Sequence, residues 1–542
     1  MALVQPDRSR GHEYTTSNLI PAPPISVLHE ELLRTIFLVN TDFKSEDNLV
    51  RHSPLITARR CSQVCRRWRS IFLSSSTIWG RVIDVNRLQQ RKDDWRKEVF
   101  TRTGEAVLWV YGRLDRLGRM WDTFLFTFLQ TNWRRVQILV IIDGNPNNQQ
   151  RWALLKEPAP QLRAIDIRPR YRPSGDSCPF TDDAPLLREY SVTGMGCRFP
   201  TNASWLPNLT SVAFSEHYTT EGILTVLQRM RRLVSLAVTT WDETPHRPHL
   251  PSGKVILPNL KMLEMDNTGT VLTATPILEC IAPSSDCCLF TTGYILDGRS
   301  QDNEEYEQYE NAVRSYVVPY FLLHPPSALN LCFTRGDFIL ADAAFPSSRI
   351  LDRWWPRHFR IVLKTHSLPS SLLMKELISS PWFSLGVSKL ELLLQELNGV
   401  PYDNQVNDSY LFTLNALSST TTLRTDDETL AQLLQHPRSS IVSSLFPALV
   451  TLELFPPCAM PGVVEANPPH HEFLKMRKGI GRPISVLNLG TLTGSENDMD
   501  YLEEHSGLLV QWIAHDGRAG EYMCGQGHQE KLRFSIPNRG KY

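Results

Sequence analysis

The sequence has no long hydrophobic run. Its most apolar stretch, VQILVII from Val136 to Ile142, is far shorter than the roughly 20 residues that cross a bilayer. The N-terminal stretch MALVQPDRSRGHEYTTSN is polar and lacks the apolar core of about 7–15 residues that secretion needs. A cytoplasmic or nuclear protein with no membrane partner is therefore expected. Nor is there an excess of charge of either sign, since 57 basic side chains face 57 acidic ones. That balance removes any global case for nucleic acid, which is not expected as a partner. Cysteine is sparse, ten scattered residues in 542. In a reducing compartment the default is free, mostly buried thiols.

The common catalytic signatures are missing too. There is no G-x-x-x-x-G-K-[ST] phosphate loop and no G-x-S-x-G elbow in the chain. His470-His471-Glu472 follows two prolines and lacks the spacing of a zincin helix. Cys287-Cys288 has no neighbour that marks a nucleophile. Cys524 and His528 are too few for a metal site. No catalytic, cofactor-binding or metal-ligating residue is assigned on these grounds, and a non-enzyme is expected.

What the chain does have is length and rhythm. At 542 residues it exceeds the roughly 250–300 that one hydrophobic core can serve. Near the N-terminus, ISVLHEELLRTIFLVN (Ile25 to Asn40) carries Leu28, Leu32 and Ile36 four apart, with Leu33 and Phe37 beside them. That is an amphipathic helix, with Ser26 available to cap it. Further on lies CSQVCRRWRSIFLSSSTIWG, Cys61 to Gly80. Zinc would need two more ligands at compatible spacing, and none follows. On one helix from Cys61 to Leu73, the residues Cys61, Val64, Cys65, Trp68, Ile71 and Phe72 form an apolar stripe. The arginines fall off it, as a solvated face would.

These residues resemble an F-box. ELLRTIF, VCRRWRSI, a serine-rich turn and Ile78-Trp79 follow that family's order over roughly Ile25 to Val82. Two features depart from it: His29 stands where a proline is usual, and the connection Thr41 to Thr57 is long. The resemblance implies a small helical module that docks on the Skp adaptor and, through it, a cullin. Its adaptor-binding module would comprise Ile25, Leu28, Leu32, Leu33, Ile36, Phe37, Val64, Cys65, Trp68, Ile71 and Trp79.

Downstream, Leu-x-x-Leu-x-Leu recurs in degenerate form: VQILVI (Val136), LRAIDI (Leu162), LREYSV (Leu187), LTSVAF (Leu209), LVSLAV (Leu233), LKMLEM (Leu260), LVTLEL (Leu449) and ISVLNL (Ile484). The first six begin 26, 25, 22, 24 and 27 residues apart, within the leucine-rich-repeat range of about 20–29. ALNLCF, FRIVLK and LELLLQ are weaker members. Stacked units of this kind share one core and a parallel sheet. The expected fold is thus α/β. It comprises a lead-in over 1–24, an F-box-like helical module over 25–85, a leucine-rich-repeat-like solenoid with a parallel sheet on one face over 86–516, and an irregular cap or tail over 517–542. The acidic segment 296–313 is expected to be an exposed insertion with at most one helical turn. Thr425-Asp-Asp-Glu428 is expected to form a capping box that opens a helix.

The resemblance implies a non-catalytic receptor, the substrate-recognition subunit of a Skp–cullin–F-box ubiquitin ligase with a protein substrate. The alternative is an α/β enzyme domain with a helical appendage, which a pocket of converging histidines and carboxylates would favour. Side chains alternate along a strand, so the residues between the leucines form the possible substrate face. Those are Glu189, Ser191, Ser211, Ser235, Met262, Glu264, Thr451 and Glu453, with Ala213 and Ala237 among them.

Overall fold

In the computed structural model, residues 24–41, 53–89, 93–114, 119–169, 179–192, 201–215, 218–240, 253–294, 302–334, 337–342, 359–364, 371–395, 404–436, 439–455, 468–492, 497–514 and 516–534 are described. The lead-in to residue 23 and the end of the tail from 535 lie outside them. The chain divides into two compact units, Met1–Trp109 and Val110–Tyr542.

The first unit is built mainly of helices: α1 (Glu30–Asn40), α2 (Pro54–Cys61), α3 (Arg66–Ser74), α4 (Ser76–Arg81) and α5 (Asp94–Thr103). α1 begins at Glu30 with His29 as N-cap, five residues later than the apolar pattern suggests. Ile25 to Val27 belong to a separate 3-10 turn, so Ser26 does not cap the helix. The stretch Cys61 to Leu73 is two helices rather than one. The break falls at 62–65, where Cys65 takes an extended conformation and its Sγ accepts from the Trp68 amide at 3.4 Å. A residue recruited as a cap leaves the helical face, so Val64 and Cys65 are exposed instead of sharing the buried stripe. Ile71, Phe72, Leu33 and Phe37 form the core between α1 and α3, with the Phe37 ring 4.5 Å from Phe72 and 4.8 Å from Trp68. Trp68 is only half-buried. Trp79 is fully buried, its Nε1 donates to the Phe72 carbonyl at 2.6 Å, and Arg102 lies over its ring.

The second unit is mixed α/β around a large, mostly parallel sheet. Its first run of strands is β1 (Val136–Asp143), β2 (Ala164–Pro169), β3 (Glu189–Val192), β4 (Ser211–Phe214), β5 (Ser235–Thr240), β6 (Met262–Thr270) and β7 (Cys288–Tyr294). Each is parallel to the next. A second run follows as β11 (Lys389–Gln395), β12 (Thr422–Thr425), β13 (Thr451–Leu454), β14 (Val486–Thr491) and β15 (Leu509–Ile513), again all parallel. Between the runs sit β8 (Ala328–Thr334), β9 (Asp337–Asp342) and β10 (Arg360–Lys364) in reversed order. β10 lies parallel to β7, β9 is antiparallel to both β10 and β8, and β8 lies parallel to β11. All eight leucine-pattern segments and the three weaker ones are strands of this sheet.

The ladder explains the pattern. Ile165, Tyr190, Val212, Leu236, Leu263 and Leu289 occupy one inward rung, and all are buried. Fully burying such a side chain stabilises by about 1.5–3 kcal/mol, and the next rung repeats it two residues on. Helices such as Thr220–Leu227, capped by Thr219, connect the strands.

Two expectations fail in this unit. Of the acidic segment 296–313, residues 296–301 lie outside the described residues, and the part from 302 onward is no exposed insertion but belongs to one helix, Asp302–Leu323. Tyr306, Tyr309, Val313, Tyr316 and Tyr320 recur at three- and four-residue steps and are buried, and Glu310 is 2% exposed. Its Oε1 accepts from the Leu373 amide at 3.2 Å in the first turn of helix Ser371–Ser379. Apolar periodicity outweighed acidic composition. The C-terminal stretch is also regular in part: β16 (Ala519–Met523) pairs antiparallel with β15, and Arg533–Phe534 pairs with Asn497–Asp498. The helix after Thr425 does form, over Asp427–Gln435, but its cap is Asp426, which accepts from the Thr429 amide at 2.8 Å. Thr425 ends β12, and its hydroxyl donates to the Leu392 carbonyl. Among the described residues no helix is long and apolar enough to cross a membrane.

Candidate binding face

The side chains between the inward rungs line the opposite face of the sheet. Strand register aligns Ala164, Glu189, Ser211, Ser235 and Met262 on one rung, and Asp166, Ser191, Ala213, Ala237 and Glu264 on the next. Three serines and three alanines keep the middle of the face low. The result is an open depression lined by Val140, Asp166, Glu189, Ser211, Ala237 and Glu264 among others, and no histidine is among its described lining residues. The histidine–carboxylate convergence expected of the enzyme alternative is therefore not what lines it.

Its carboxylates differ in their surroundings. Asp166 has its partners within the sheet, since Arg168 donates to both of its oxygens at 3.2 and 2.8 Å and the Ser191 hydroxyl donates at 3.0 Å. Glu189 stands one strand away, and its Oε2 is buried with no hydrogen-bond partner. Burial, and secondarily the negative charge of Asp166, push its carboxyl up to about 7. An unpaired buried carboxylate is costly. A donor reaching it from outside, above all a Lys or Arg, recovers that cost. Small flanking residues let a partner's backbone come close.

The face of the second run is chemically finished. On its outward rung Glu391 pairs with Arg424 at 3.2 Å and accepts from Asn330 at 2.6 Å, and Glu453 is held by Lys389 at 3.0 and 2.8 Å. Arg424 also lies over the Phe455 ring.

Of the face residues expected from sequence, the fold brings Glu189, Ser191, Ser211, Ser235 and Glu264 together with Ala213 and Ala237. Met262 is half-buried on the same rung as Ser235 but does not line the depression. Thr451 and Glu453 lie on β13 in the second run, apart from it. Asp166 was missed. It sits between Ile165 and Ile167 in LRAIDI, so the same alternation identifies it.

In the first unit, Leu33, Phe37, Ile71 and Trp79 are buried, and Leu28 and Trp68 are half-buried. Ile25, Leu32, Ile36 and Val64 are exposed, Leu32 to 55% and Val64 to 63%, and Val39 is exposed with them. Arg67 donates to the Leu28 carbonyl, tying the start of α3 to the chain just before α1. No protein-family model and no curated protein matches the sequence.

Proposed function

We propose that this chain is a substrate-recognition subunit of a Skp–cullin–F-box ubiquitin ligase. Its N-terminal helices are the F-box that docks on the Skp adaptor, and its strand array is a leucine-rich-repeat-like solenoid that holds a protein substrate. The observation that carries the reading is the division of apolar side chains within α1. Leu33 and Phe37 build the core, while Leu32, Ile36 and Val39 remain outside it. A helix that hides one apolar edge and presents another is suited to a partner, because exposed apolar clusters are unfavourable in a free monomer. The sequence resemblance supplies the partner's identity. Substrate contact falls on the depression around Glu189, where a basic side chain of the substrate meets the unpaired carboxylate.

The test is co-expression with the Skp adaptor. Leu32→Glu with Ile36→Glu alters only exposed positions, so circular dichroism should stay unchanged. Adaptor capture should fall at least tenfold, about 1.4 kcal/mol. Undiminished capture by that double variant overturns the docking assignment.

A further inference from the structure

Helix Pro469–Gly479 and the 3-10 turn Asp500–Glu504 with its cap His505 bring His471 to Glu504 and His505, which lie more than thirty residues further along the sequence. His471 and His505 are almost fully buried, 3% and 7% exposed, and Glu504 is 49% exposed. His471 Nε2 lies 2.8 Å from Glu504 Oε1, His505 Nε2 lies 3.7 Å from the same oxygen, and the two imidazoles meet at 3.2 Å, Nε2 to Nδ1.

We propose that His471, Glu504 and His505 form a binding site for a divalent transition cation, with Zn2+ the ion that best suits the donors. Tetrahedral zinc takes imidazole nitrogen and carboxylate oxygen at about 2.0–2.2 Å, which sets neighbouring ligand atoms about 3.4 Å apart. The three groups offer one atom each within 4.8 Å of one another. With His471 giving Nδ1, its separation from His505 Nε2, 3.2 Å, and that of His505 Nε2 from Glu504 Oε1, 3.7 Å, bracket the tetrahedral value. Three protein ligands leave one position for water, on the side where Glu504 meets solvent.

The surroundings separate ligands from supports. His470 is committed elsewhere, with Nδ1 2.7 Å from Asp427 and Nε2 2.6 Å from the Tyr501 hydroxyl. The Tyr501 ring stands edge-on to His471 at 4.8 Å and fixes the plane of that imidazole. Lys475 holds Glu504 Oε1 at 3.0 Å and is half-exposed. Its ammonium competes with a cation for the same oxygen and can swing into solvent. The site shares no residue with the adaptor and substrate surfaces and does not depend on them.

The full chain, stripped with a chelator, is titrated with Zn2+ by calorimetry and with Co2+ by absorption. One ion per chain is expected, with the visible bands of a tetrahedral cobalt complex. Glu504→Gln and His505→Gln should each weaken binding at least tenfold, and Lys475→Ala should tighten it several-fold. Glu504 and Lys475 are surface side chains, so those two variants decide the matter even if His505→Gln fails to fold. The proposal is overturned if no ion binds. It is equally overturned if affinity is the same in wild type, Glu504→Gln and Lys475→Ala, which would mean other histidines hold the metal.

Discussion

From Asp166, the outward rung of the first run continues as Ser191, Ala213, Ala237 and Glu264. On the second run the corresponding rung reads Glu391, Arg424, Glu453 and Asn488. Both runs rest on the same kind of inward ladder, with Leu390, Leu423, Leu452 and Leu487 matching Ile165 through Leu289. What differs is satisfaction. In the second run Glu391 has Arg424 beside it on the rung, and Glu453 has Lys389 reaching over from the rung before it. In the first, small residues separate the acids, and Glu189 keeps an oxygen without a partner. One scaffold thus carries a face closed by its own charges and a face that needs an outside donor.

The largest effect that could break this comparison is expected at Arg424. Glu391 is largely buried, which raises its carboxyl above the ordinary range while Arg424 pulls it back. Arg424→Met should strand that charge. Losing one partner of a buried pair costs about 3–5 kcal/mol, and partial exposure here reduces the expectation to about 2–3. Urea denaturation at neutral pH measures it, and a loss under about 0.5 kcal/mol would mean that this face is not held by its charges.

The opposite sign is expected at Glu189. Its native carboxyl is pushed up to about 7, against 4.5 in the ordinary state. The native state therefore holds a proton that the unfolded chain has released, and stability falls as pH rises from about 4.5 through 7. Glu189→Gln removes that penalty. The variant should be more stable than wild type by about 1–2 kcal/mol at pH 8, with the difference fading as pH falls to about 5. A variant less stable than wild type at pH 8 would mean that Glu189 already has a partner.

The smallest effect belongs to Lys389. It is 42% exposed where it meets Glu453, and pairs of that kind contribute about 0.2–1 kcal/mol. Lys389→Met should cost no more than that, and the difference should shrink in high salt. A salt-independent loss above about 2 kcal/mol would place this pair among the buried ones.

Much of the sheet was legible because its signal is local. A degenerate Leu-x-x-Leu-x-Leu pattern, its first six copies 22–27 residues apart, needs no tertiary information to be read. Glu189, Ser211 and Glu264 followed from alternation alone. Three features escaped for physical reasons. The helix Asp302–Leu323 begins with acids, and composition hid a tyrosine stripe whose spacing was present all along. The break before α3 depends on Cys65 acting as a cap, a role that side chain seldom takes. His471 and His505 share a cluster only because a helix and a turn 34 residues apart are brought together, which no local pattern encodes.

The reversed strands β8 to β10 bear on how the chain acquires its fold. An array of parallel strands can grow by adding each new strand to the last one placed. Here that growth stops at β7, because its neighbour is β10, while β8, the next strand made, borders β11. During synthesis β8 and β9 must wait, with unpaired edges, until β10 arrives to close the gap. Long-range closure of this kind slows folding, and waiting edges invite wrong pairing. The middle of the sheet is thus the seam at which the nascent chain is most exposed to aggregation, although in the finished fold each of these strands has a neighbour on both sides.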